Sequence, residues 1–80
     1  MADEKQAIAS QRATVREHIA KAEFYKGPGE REYALKSVKN AQGQIHKLIK
    51  RHPHWPASWE DRWLPGMPHP KITDWVPPKA

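Results

Sequence analysis

The chain has 80 residues, no cysteine, 38% apolar and 29% charged residues, and a formal net charge of +5. A chain this short forms one small domain at most, with a core so marginal that a cross-link, a metal or a partner is usually needed to complete it. Without cysteine, disulfides, thiol chemistry and cysteine-ligated zinc are excluded, and the length leaves little room for an enzyme with a dry, walled active site.

Asp3 and Glu4 open a first predicted helix over about 3–26, where early acidic residues suit the helix dipole. Ile8, Val15, Ile19 and Ala22 fall on one apolar stripe. Ala9, Ala13, Ala20 and Phe24 form a second, weaker apolar face, which predicts a helix sandwiched between two neighbours. Gly27-Pro28-Gly29 is expected to stop it, with Gly27 in the left-handed cap position. Phe24, Tyr25 and Tyr33 should pack around this closed end.

The second predicted helix covers about 30–52. Ala34, Leu35, Val38, Ala41, Ile45, Leu48 and Ile49 make its core arc. Lys36, Lys39, Lys47, Lys50 and Arg51 occupy the opposite arc, interrupted by Gly43. The short connection makes the two helices antiparallel neighbours.

Composition changes after residue 52. Residues 53–80 hold seven of the eight prolines and all four tryptophans. Trp55 to Trp63 reads as one or two turns of helix with Pro56 near its first position, and Trp55, Trp59 and Trp63, spaced by four, would share a face. Leu64-Pro65-Gly66 reads as a turn, and residues 67–80 as extended or polyproline-like chain. The expected fold is therefore all-α: an antiparallel two-helix hairpin (1–52), then a short Trp-bearing helix and an extended Pro-rich C-terminal arm (53–80).

The charge is localised. Residues 1–32 carry six basic and six acidic side chains, residues 53–80 three of each, and residues 33–52 five basic and none acidic. The whole net charge thus falls on one face of the second helix. Lysine and arginine at that density neutralise phosphates and release counterions. Asn40, Gln42 and Gln44 are side-chain types that contact base edges or phosphate oxygens, and Gly43 permits close approach of a backbone. The expected function is a small non-catalytic nucleic-acid-associated protein, regulatory or accessory, with Lys36, Lys39, Asn40, Gly43, Lys47, Lys50 and Arg51 binding the nucleic acid or an acidic protein surface.

Trp55, Trp59, Trp63 and Trp75 read as caps on the core, as a stacking platform for single-stranded bases or, in a second reading of the whole chain, as the anchors of a docking arm. In that case the chain is an interaction module: an adaptor, an inhibitor or a structural accessory subunit, of the kind found in phages and mobile elements. A homodimer or a larger assembly would complete so small a core.

His18, His46, His52, His54 and His69 have no convincing metal-ligand spacing and read as cap and loop residues. Glu60 and Asp61 read as an exposed turn whose carboxylates diverge. Ser10, Ser37 and Ser58 lack His/Asp partners at motif spacing, and no Gly-rich phosphate loop is present. No catalysis, cofactor, metal or small-molecule substrate is expected. No signal peptide is visible, and no apolar run approaches the roughly 20 residues that span a bilayer; the expectation is a soluble, cytoplasmic protein with no membrane partner.

Overall fold

The side chain of Asp3 accepts a hydrogen bond from the Lys5 amide at 3.1 Å and so caps α1, Glu4–Phe24. This start belongs to a computed structural model that describes residues 3–77. A second helix, α2, spans Pro28–Arg51, and a 3-10 turn spans Trp59–Asp61; there is no strand among the described residues.

The connection between the helices differs from the expectation. α1 ends at Phe24, two residues early, with the Tyr25 amide bonded to Lys21 O at 2.8 Å. Gly27 is the N-cap of α2, with φ −68° rather than a left-handed angle. Pro28 starts α2 instead of blocking α1, because the first helical residue needs no amide donor and favours proline's fixed φ. Three residues, Tyr25–Gly27, reverse the chain. The hairpin is antiparallel, and at its open end Arg51 reaches Glu4 at 3.1 Å.

Ile8, Val15 and Ile19 of α1 meet Val38, Ala41 and Ile45 of α2 in the core, and Trp63 completes it. Leu35, Leu48, Ile49, Trp55, Trp59 and Ile72 pack around this cluster. The tryptophan segment thus belongs to the chain's own core.

Trp55, Trp59 and Trp63 do not share a helical face. Only the three residues Trp59–Asp61 are helical, and Pro56 lies before them. The Asp61 side chain turns back to accept from the Ser58 amide at 3.0 Å, which closes a single capped turn. Each tryptophan then finds its own neighbour. Trp55 stacks on His52, with centroids 4.0 Å apart. Trp59 stacks on His69 at 5.9 Å. Trp63 is buried, its indole N–H donating to Met67 O at 3.0 Å. Trp75 meets Phe24 edge-on at 5.4 Å.

Leu64-Pro65-Gly66 forms the expected turn, closed by the Met67 amide on Leu64 O at 3.0 Å. Gly66 has φ +94°, which a side chain would strain. Residues 67–77 contain no helix or strand and return to α1, where His69 meets Glu23 and Asp74 meets Arg16; the expected extension over 78–80 lies outside the described residues.

This return corrects two expectations. The second face of α1 is covered only in part, since Ala9 and Phe24 stay exposed while Ala13 and Ala20 are half-buried. Its neighbour is a polar arm that needs Arg12 and Arg16 more than alanines. Tyr33 is 73% exposed and does not pack the closed end, where Trp75 lies against Phe24 and Tyr25 instead.

The arm's attachment is expected to depend on pH. Both ring nitrogens of His69 face acceptors: Nδ1 lies 2.8 Å from Pro70 O, and Nε2 3.0 Å from both Glu23 carboxylate oxygens. Only the imidazolium donates to both. The Pro70 carbonyl foremost, and then Glu23, raise the His69 pKa above its ordinary 6.5 against the opposing effect of partial burial. The hydrogen bond from Arg16 lowers the Asp74 pKa below its ordinary 3.8. His69 therefore stabilises the arm fully below 6.5 and loses this contribution as pH rises through the higher folded value. Asp74 contributes above 3.8 and ceases to as pH falls through its lower folded value. The nuclear magnetic resonance signals of the Ile72 methyl groups and the Trp75 ring, which pack against the hairpin, should move towards random-coil positions as pH rises beyond 6.5. His69→Gln should flatten that dependence; an identical pH response in the variant would disprove the assignment.

Candidate nucleic-acid interface

The basic arc of α2 stands free of the core. Lys36, Lys39, Asn40, Gly43, Lys47, Lys50 and Arg51 are all exposed. Helical spacing of 3.6 residues per turn aligns them in one stripe, and the two lysine pairs lie on either side of Gly43. A Cβ at Gly43 would meet nothing within 4 Å.

Lys36, Lys39, Lys47 and Lys50 form no ion pair among the described residues. Five of the carboxylates that might have answered them are engaged elsewhere. Asp61 binds Arg12, Glu60 and Asp74 bind Arg16, Glu4 binds Arg51 and His52, and Glu23 binds His69. Arg51 thus leans towards the start of α1, while the four lysines face solvent.

Gln42 is not available to a ligand. Its amide nitrogen donates to Glu60 O at 2.9 Å and Trp63 O at 2.7 Å. Of the three amide side chains singled out in the sequence, only Asn40 and Gln44 remain exposed. His46 also turns to the arm, its Nε2 donating to Asp61 O at 2.9 Å. These bonds hold the Trp63–Pro65 segment alongside α2 and leave a groove of about 640 Å3 between them.

The sequence reading missed the ionic cluster that fixes the arm. Glu60 and Asp61 are each 4% exposed, so the expectation of an exposed turn is overturned. Arg12 grips Asp61 with two parallel bonds, Nε–Oδ1 at 3.0 Å and Nη2–Oδ2 at 2.9 Å, and also donates to Pro56 O at 3.2 Å. Arg16 joins Glu60 at 2.6 Å and Asp74 at 2.6 Å, and so clamps two separate parts of the arm. Both guanidiniums are held more firmly protonated, Arg12 chiefly by Asp61 and Arg16 chiefly by Asp74. Ser58 Oγ donates to the second Glu60 oxygen. The cluster can position and neutralise; with its carboxylates already satisfied, it offers no free base or nucleophile.

Trp55, Trp59 and Trp75 are half-buried and Trp63 is buried, so the tryptophans leave no contiguous exposed patch. His52 caps α2, and its ring lies 6.1 Å from that of His54. The described residues contain no group of three or more side chains placed to hold a metal. Comparison with protein-family models, curated proteins and solved structures gives no match to this chain.

Proposed function

We propose that this chain is a small non-catalytic nucleic-acid-associated protein, a regulatory or accessory factor that holds a polyanion on α2. The supporting observation is the set of four lysines, Lys36, Lys39, Lys47 and Lys50, exposed on one stripe without carboxylate partners among the described residues. Unpaired surface lysines in a row repel one another, and phosphates relieve that repulsion while releasing counterions. The tryptophans are engaged within the fold, which favours this reading over an arm that docks on a larger protein. No described helix is long and apolar enough to cross a membrane, and action in the cytoplasm accords with such a partner.

Fluorescence anisotropy with labelled DNA and RNA across a salt series tests the proposal. Affinity should fall steeply with salt, and each lysine neutralised should lower the slope by roughly one on every sequence. Lys47→Glu combined with Lys50→Glu should abolish binding while leaving the circular dichroism unchanged, because both side chains are exposed. Undiminished affinity in the double variant would refute it.

A further inference from the structure

Beside the lysine stripe, the groove between α2 and the Trp63–Pro65 segment joins two kinds of chemistry. Its walls are apolar, with Leu35 and Val38 on the helix side and Trp63, Leu64 and Pro65 opposite. Lys36 and Lys39 stand on its rim, and Gly43 leaves the rim open. Leu64 is 62% exposed, an apolar wall without a partner in the chain. The polar side chains in the groove, Gln42 and His46, are already bonded to arm carbonyls. Those bonds fix the walls in advance and leave few groups to read a ligand's edges.

A matching ligand therefore has a largely apolar body that enters the groove and anionic groups beside it that meet the two lysines. From this geometry we infer that the groove takes an unpaired base of a single-stranded nucleic acid, with its flanking phosphates on Lys36 and Lys39. The strand continues along the stripe to Lys47 and Lys50. A volume of about 640 Å3 accommodates a nucleobase with its sugar. A duplex keeps its bases stacked inside and offers this groove nothing, whereas a single strand presents the face of every base. With the groove's polar groups occupied, binding tolerates any sequence. This inference rests on the polyanion reading above and narrows it to single strands.

Anisotropy titrations of the whole chain separate the two. The probes are oligo(dU), oligo(U), a blunt-ended duplex with the same number of phosphates, and polyglutamate of equal charge. Either single strand should bind about tenfold more tightly than the duplex or polyglutamate, the low end of the gain per base bound; oligo(dU) and oligo(U) share the base, so a preference between them identifies the sugar.

Gly43→Leu should obstruct the groove while improving helix propensity, and Leu64→Ser should remove one wall at an exposed position. Each should cost single-strand affinity about tenfold and leave the salt slope unchanged. Equal affinity for duplex and single strand, with both variants silent, overturns the groove and leaves the lysine stripe standing. Polyglutamate binding as tightly as the single strands overturns the groove in favour of an acidic protein partner. Salt-independent binding of all four probes overturns the polyanion reading itself.

Discussion

Trp63→Ala should lower the stability of the fold by about 3–5 kcal/mol, the range for emptying a buried aromatic site. Trp63 is 5% exposed and belongs to the same cluster as Val15, Ile19 and Ile45. Its indole N–H is satisfied by Met67 O, and its carbonyl accepts from Gln42. The substitution therefore leaves a cavity beneath the arm and loosens the turn that Gly66 makes. A domain of 80 residues has a total stability of roughly 4–12 kcal/mol, so the variant should lie close to its unfolding threshold. Urea unfolding followed by far-ultraviolet circular dichroism gives the difference. Trp63→Phe keeps most of the volume and should cost distinctly less. A loss under about 1 kcal/mol for the alanine variant would mean that the hairpin holds its core without the arm.

Arg12→Ala should be nearly as damaging, by about 3–5 kcal/mol, although it removes a polar side chain. The Asp61 side chain is 3% exposed. Without Arg12 its charge stays buried with only the Ser58 amide for compensation. Arg12→Lys should not restore the loss, since an ammonium cannot make the two parallel bonds of a guanidinium. Adding Asp61→Asn to Arg12→Met should recover much of it by removing the stranded charge. A double-mutant cycle on thermal unfolding measures that coupling. A near-zero coupling energy would show that the pair acts like an ordinary surface bridge.

The hairpin was legible because its signal is periodic. Ile8, Val15, Ile19 and Ala22 repeat at helical spacing, as do Ala34, Val38, Ala41 and Ile45, and all eight are buried. The connection was misread because Pro28 between two glycines suits a helix start as well as a helix stop, and only the backbone angle at Gly27 decides. The arm was not legible, since its hydrogen bonds to the two helices join residues 15 to 58 positions apart, which no local pattern encodes. A weaker signal was present. Arg12 and Arg16 lie one turn apart beside the apolar stripe, and the segment with seven prolines is charge-neutral and holds the adjacent pair Glu60-Asp61. Matching two arginines to two carboxylates would have suggested a buried clasp. The exposed stripe was legible as charge, while the groove beside it depends on where Gln42 and His46 hold Trp63 and could not be seen.

The contact between Glu4 and the Arg51–His52 end of α2 also makes the arm easier to order. Counted along the chain, Arg12 and Asp61 are 49 residues apart. Once the hairpin has formed, residue 52 already lies beside residue 4, and only the nine residues from His52 to Asp61 remain to be closed. Loop-closure entropy grows as the logarithm of length, so this shortcut lowers the penalty by about 1.5 kcal/mol. The prolines within that short span restrict it further before any contact is made. A hairpin formed first would thus act as the template on which the clasp shuts. Tryptophan fluorescence should change after helical ellipticity in stopped-flow refolding, and simultaneous change of the two signals would rule this order out.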